Sequence, residues 1–169
     1  MENLICFRAL KIDDFDSVLK WSLDNAFCLA NGWEVDRSED ELYSWWLRCV
    51  NNESADFVRL GVQLKDKLIG YVDLADIKNN RAELGIAIGE SQLWGRGIGT
   101  STILSFMQYA SEKYGITTFD AETHEGNSRS KKMLEKIGFV EISRVGIEEY
   151  LGIDNQLIQY CFDFYAQVP

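Results

Sequence analysis

The sequence predicts one mixed α/β domain of the α+β kind, built on a mostly antiparallel sheet of about seven strands with helices on both faces. Three observations carry that expectation. Two alternating apolar runs face each other across a three-residue turn, so the early strands pair as a hairpin. Later strands alternate with amphipathic helices, which cover the sheet on both sides. The only proline is the terminal Pro169, and no Ser/Gly-rich stretch, repeat or like-charge block interrupts the chain. Residues 1–169 therefore read as a single domain.

Element by element, Leu4 to Leu10 reads as a strand, and Asp13 or Asp14 caps a helix carrying Phe15, Val18, Leu19 and Leu23 on one side. A second helix starts at Ser38, where Ser38-Glu39-Asp40-Glu41 forms a capping box ahead of Leu42, Trp45, Trp46 and Cys49. Phe57 to Leu64 alternates in polarity, and Lys65-Asp66-Lys67 turns it into Leu68 to Leu74. The strand Arg81 to Gly89 leads through a glycine-rich loop into a long helix ending at Tyr114, with Gly115 at its stop. Thr117 to Thr123 is a strand and Ser128 to Ile137 a helix closed by Gly138. Phe139 to Arg144 and Gln156 to Phe164 complete the sheet.

Composition narrows the function classes. Seventeen basic against 27 acidic residues give a net charge of −10, which repels a phosphate backbone and argues against a nucleic-acid partner. No run approaches the ~18 apolar residues of a bilayer span, and the N-terminus lacks a signal-peptide pattern, so a cytoplasmic protein with no membrane partner is expected. Cys6, Cys28, Cys49 and Cys161 form no C-x-x-C pair, and with His124 as the only histidine no metal site is expected. Charge is uneven: residues 1–60 hold 12 acidic and 6 basic side chains, whereas Gly126 to Arg144 hold 5 basic and 2 acidic.

The most informative segment is Gln92-Leu93-Trp94-Gly95-Arg96-Gly97-Ile98-Gly99-Thr100, a glycine turn between a strand and a helix. Glycines let backbone N–H groups approach a ligand, and the helix N-terminus adds partial positive charge, so the turn suits a pyrophosphate. A P-loop is excluded because no G-K-[ST] ends the turn. The dinucleotide fingerprint lacks its third glycine at Thr100, although Glu122 stands where a ribose-binding acid belongs. A nicotinamide-dependent oxidoreductase is thus a competing reading.

Three blocks carry a family resemblance: Trp94-x-x-Gly97-x-Gly99; Ala82-Glu83-Leu84-Gly85; and Asn127-Ser128-Arg129-Ser130 leading to Leu134-Glu135-Lys136-Ile137-Gly138-Phe139. The chain resembles the GNAT superfamily of acetyl-CoA-dependent N-acetyltransferases, with tryptophan where the family pattern has Gln or Arg. It is most similar to the branch containing ribosomal-protein, spermidine and aminoglycoside acetyltransferases. The resemblance covers almost the whole chain and implies a GNAT-like domain with acetyl-CoA as co-substrate, direct attack by a primary amine in a ternary complex, and no enzyme nucleophile. It implies that the strand bearing Glu83 splays from its parallel neighbour, that backbone groups of Ile86 and Ile88 pair with pantetheine, and that the Ile88 N–H polarises the thioester carbonyl.

Alternation puts Glu83, Gly85 and Ala87 on one face of that strand and Leu84, Ile86 and Ile88 on the other, so Glu83 stands on a face with room for a ligand. Glu83 is the candidate general base, with His124 as the alternative. The tyrosine that many GNAT enzymes use as acid falls at Leu134, and Ser130 is the candidate proton donor in its place. Asn127 is assigned to the pantetheine arm, and Arg129 and Lys132 to the CoA phosphates together with the loop residues Trp94, Gly95, Arg96, Gly97, Ile98, Gly99 and Thr100. Phe27, Trp33, Glu34 and Asp36 form an expected acidic, aromatic acceptor mouth suited to a small cationic amine. A protein N-terminus is the alternative acceptor, a non-catalytic CoA-binding sensor the alternative role, and a homodimer is compatible with the pattern.

Overall fold

The computed structural model describes residues 4–167. Its strands are β1 (Ile5–Arg8), β2 (Val58–Leu64), β3 (Lys67–Lys78), β4 (Arg81–Ile88), β5 (Thr118–His124), β6 (Val140–Ser143), β7 (Ile147–Tyr150) and β8 (Ile153–Asp163). Its helices are α1 (Phe15–Ser22), α2 (Asn25–Asn31), α3 (Glu39–Val50), α4 (Ile98–Tyr114) and α5 (Ser128–Ile137). The sheet order is β1-β2-β3-β4-β5-β8-β6, with β7 added on β8. Every pairing is antiparallel except β4 with β5.

Local signals account for most of these elements. Ser38 accepts from the Glu41 N–H and opens α3 as its capping residue. Gly115 and Gly138, both left-handed, close α4 and α5. Two elements go beyond the sequence expectation. The segment between the first two predicted helices contains the seven-residue α2, capped by Asp24, whose carboxylate accepts from the Ala26 and Phe27 N–H groups. The segment after Arg144 contains the four-residue β7, so the sheet has eight strands rather than seven.

Helices α4 and α5 cover one face, burying Ile103, Phe106, Met107, Ala110 and Leu134 against Leu74, Leu84 and Phe119. Helices α1 to α3 cover the other, burying Val18, Trp21, Phe27, Leu42 and Trp46 against Tyr71 and Ala87. No helix among the described residues is long and apolar enough to cross a membrane.

The exit of β4 is tightly held. Gly89 donates to the Ile69 carbonyl (2.8 Å), and the Glu90 carboxylate is buried between Lys20 (3.1 Å) and Lys67 (3.3 Å). Burial alone would raise the Glu90 pKa, but hydrogen bonds from Gln92, Lys20 and Lys67 outweigh it and the net direction is downward. A Cβ at Gly89 would lie 2.1 Å from the Trp21 ring, so the backbone can pass the indole only as glycine. Gly89→Ala is therefore expected to destabilise the fold by ~1–3 kcal/mol through overpacking, read from urea unfolding midpoints. An unchanged midpoint would show that Trp21 moves aside freely.

Candidate functional site

Strands β4 and β5 pair over only three residues, Arg81 with Thr118, Ala82 with Phe119 and Glu83 with Asp120, and then separate. Along β4 the odd-numbered residues turn their polar groups toward β3, as the Gly89 bond to Ile69 shows. The N–H and C=O groups of Ile86 and Ile88 consequently face the gap left by β5. One of these groups is taken, because the Trp94 indole N–H donates to the Ile88 carbonyl at 2.9 Å.

The gap opens into a groove of about 460 Å³. Of the residues that the sequence reading singles out, Ile86, Ile88, Trp94, Gly95, Gly97, Ile98, Gly99, Thr100, Asn127, Arg129, Ser130 and Lys132 all line it. Arg96 does not; it is exposed beside the loop. Gly95 and Gly97 have φ values of 76° and 80°, and a Cβ at either would point into open space. The first bond of the α4 turn is Ser101 N–H to Gly97 C=O (3.0 Å), which leaves the N–H groups of Ile98, Gly99 and Thr100 without helical acceptors. Bare backbone donors, a helix N-terminus and the cations of Arg129, Lys132 and Lys136 on one face of α5 together fit a pyrophosphate-bearing ligand. The Arg129 guanidinium stacks over Trp94 at 4.3 Å, which fixes it at the groove edge.

Asn127 caps α5 by accepting from the Ser130 N–H at 3.1 Å. The Ser130 hydroxyl makes no hydrogen bond among the described residues and borders the groove. Leu134, at the position of the missing tyrosine, is buried against the sheet. Sequence reasoning missed Ala30 and Asn31 at the end of α2, which wall the groove toward the α1–α3 face, and Met133. Nothing in the sequence marked the first two. Lys136 was legible, since it follows Arg129 and Lys132 at helical spacing.

Glu83 is the last residue of β4 that pairs with β5, and it borders a second depression with Asp76, Arg81 and Asp120 rather than the groove itself. Three of the other carboxylates around this neck are engaged. Asp73 receives Arg59 in a two-pronged pair at 2.6 and 2.8 Å. Asp120 receives Arg81 at 2.6 Å through both oxygens. Glu122 accepts from Gln159 at 2.8 Å. Glu83 and Asp76 are the two carboxylates here with no hydrogen bond or ion pair among the described residues. Partial burial, followed by the negative charges of Glu122, Asp76 and Asp120, raises its pKa. His124 is engaged elsewhere: it stacks on Tyr150 with centroids 4.8 Å apart and meets Glu148 at 3.3 Å.

The expected acceptor mouth is not assembled as drawn. Phe27 is fully buried, packed edge-on against Trp33 at 4.8 Å, and belongs to the core because its helix points it at the sheet. Trp33 donates to the Tyr71 hydroxyl at 3.3 Å, and burial pushes that phenol up to about 12. Glu34 and Asp36 are exposed beyond it and line neither depression.

Comparison with known proteins agrees with this geometry. RimL, a ribosomal-protein alpha-N-acetyltransferase solved with coenzyme A, superposes with a TM-score of 0.82 at 17% identity, covering 98% of this chain and 97% of its own. The spermidine N-acetyltransferase of Vibrio cholerae, solved with CoA and spermine, gives 0.80 at 20% identity over 96% of each chain. Among curated proteins, a stretch of 71 residues is 31% identical to the human alpha/beta-tubulin N-acetyltransferase 9, covering 42% of this chain and 33% of that protein. An uncharacterised protein of Methanocaldococcus jannaschii is 28% identical over 113 residues, covering 66% and 23%. The chain thus spans about a quarter to a third of the length of these curated relatives. The family model described as the acetyltransferase (GNAT) domain matches residues 5–140, which overturns the nicotinamide-dependent alternative. By that match, and with a groove that follows the splay of β4 from β5, the chain belongs to the GNAT acetyltransferase family.

Proposed function

We propose that this chain is an acetyl-CoA-dependent N-acetyltransferase that moves the acetyl group to a primary amine by direct attack in a ternary complex. The observation that carries the reading is the pairing of an open backbone edge at Ile86 and Ile88 with a glycine cradle and three cations at its far end. Acetyl-CoA supplies the activated thioester. The loop N–H groups with Arg129, Lys132 and Lys136 hold its phosphates, and Ile86 offers both backbone groups to the pantetheine arm. The Ile88 N–H is placed to stabilise negative charge on the carbonyl oxygen. As the carbon–nitrogen bond forms and the carbon–sulfur bond breaks, Glu83 takes the proton lost by the amine, and Ser130 hands one to the departing thiolate.

Support for a small cationic acceptor comes from the carboxylates around the neck and from the spermidine acetyltransferase among the structural neighbours. Support for a protein N-terminus comes from the RimL and tubulin acetyltransferase relatives. A panel of polyamines, small amines and peptides, followed by release of free thiol, separates the two. Efficient turnover of polyamines with a KM that rises with salt is expected. Preference for a neutral peptide N-terminus without a salt effect would transfer the assignment to protein acetylation, and no turnover of any amine would leave a CoA-binding sensor.

Acetyl-CoA is expected to raise the melting temperature, the stabilisation reaching about 2.7 kcal/mol at a hundredfold excess over Kd. Gly97→Val should abolish that shift, because the side chain fills the cradle and strains a backbone at φ 80°. Retention of the shift in the variant would place the ligand elsewhere. Glu83→Gln is expected to lower kcat by ~10²-fold with acetyl-CoA affinity little changed, and to recover partly at higher pH. A variant as active as the parent at every pH would remove Glu83 from the role of base.

A further inference from the structure

The face of β5 that looks toward α1–α3 carries Asp120, Glu122 and His124, and each is held by a different neighbour: Arg81, Gln159 and Glu148. Gln159 stands directly opposite Glu122 in the β5–β8 register. Its amide is saturated. The Nε2 group donates to the Glu122 carboxylate and to the Val145 carbonyl, both at 2.8 Å, while Oε1 accepts from the Ser143 hydroxyl and the Val145 N–H, both at 2.9 Å. An amide with both donors and both acceptor sites used has one orientation only. It ties the connection between β6 and β7 to the centre of the sheet and holds one oxygen of the Glu122 carboxylate.

Glu122 lies one same-face step along β5 from Asp120, the register partner of Glu83, so its carboxylate is a diagonal neighbour of the Glu83 carboxylate at the neck. We propose that Gln159 is a positioning residue for acetyl transfer: it fixes Glu122 as a stationary negative charge beside Glu83, and so makes Glu83 the carboxylate that receives the amine proton. This rests on the assignment of Glu83 as base given above.

The groups facing Glu83 are few enough to weigh. Asp73 and Asp76 approach from β3, with Asp73 neutralised by Arg59. Lys78 and Arg81 stand at the β3–β4 turn, with Arg81 committed to Asp120. From β5 come Asp120, paired with Arg81, and Glu122, whose hydrogen-bond partner among the described residues is an uncharged amide. Glu122 and Asp76 are thus the carboxylates here without a cationic partner, and after partial burial the negative charge of Glu122, then that of Asp76, raises the Glu83 pKa. Two carboxylates with environments this different divide the roles of fixed charge and proton acceptor.

The test is a carbon-13 NMR titration of the Glu83 carboxyl in the ligand-free protein, run on the parent, Glu122→Gln, Gln159→Leu and Asp76→Asn. The titration midpoint of Glu83 is expected to move to lower pH in Glu122→Gln and in Gln159→Leu, and less in Asp76→Asn. The acid limb of kcat/KM should move with it. Glu122→Gln, which keeps a partner for the Gln159 amide, separates the charge effect from any loosening of the β6–β7 connection in Gln159→Leu. A Glu83 midpoint unmoved by Glu122→Gln or by Gln159→Leu, or moved more by Asp76→Asn, overturns the proposal. Failure of Glu83 as base appears separately, as a Glu83→Gln variant with parental kcat while the NMR shift is still observed.

Discussion

Everything in this molecule that bears on chemistry depends on the parting of β4 from β5 after Glu83. A sheet that ran on would bury the polar groups of Ile86 and Ile88 in a ladder; by ending the ladder early the fold leaves them to be satisfied by something else. Trp94 satisfies one of them, the Ile88 carbonyl, and in doing so presents its ring to Arg129. The remaining groups form an extended edge of the kind that an amide-bearing chain can pair with. Trp94 thereby joins the strand end to the cationic face of α5.

The rest of the fold keeps that gap open at a fixed width. On one side α4 and α5 are bound to the sheet through Phe106, Met107 and Leu134. On the other, α1 to α3 pack through Trp21, Phe27 and Trp46, and the end of α2 closes the groove wall with Ala30 and Asn31. The strand's exit is anchored by Glu90, a buried carboxylate held by two lysines from different elements. A buried charge of this kind is costly unless paired, so the two ion pairs make one arrangement of the exit far better than others. A hydrogen bond from Ser91 to Asp24 joins the same corner to the cap of α2. The glycine cradle therefore starts from a defined point.

Much of this was legible in the residues. The hairpin of β2 and β3, the Ser38 cap of α3, the glycine stops of α4 and α5 and the glycine loop are all local signals, and these survive into the fold. So is the basic face of α5, written at helical spacing in Arg129, Lys132 and Lys136. The elements that escaped are short. The seven residues of α2 hold no full apolar period, and the four of β7 alternate only within a ribbon that β8 supplies. The acceptor side escaped for a different reason: Phe27, Trp33, Glu34 and Asp36 are close in sequence, but burial sends the first into the core and the loop sends the last two into solvent. The face that gathers at the neck comes instead from β3, β4, β5 and β8, strands separated by long stretches of chain. No spacing rule relates Gln159 to Glu83; only the register does.

The central claim is that the open edge of β4 is the surface on which acetyl-CoA lies. Amide hydrogen exchange at Ile86 and Ile88, measured with and without CoA, tests it directly. Both amides should exchange readily in the free protein and become protected when CoA is added, while the Ala87 amide, turned toward β3, stays protected throughout. If CoA binds and the Ile86 and Ile88 amides remain unprotected, the ligand lies elsewhere and the account is contradicted.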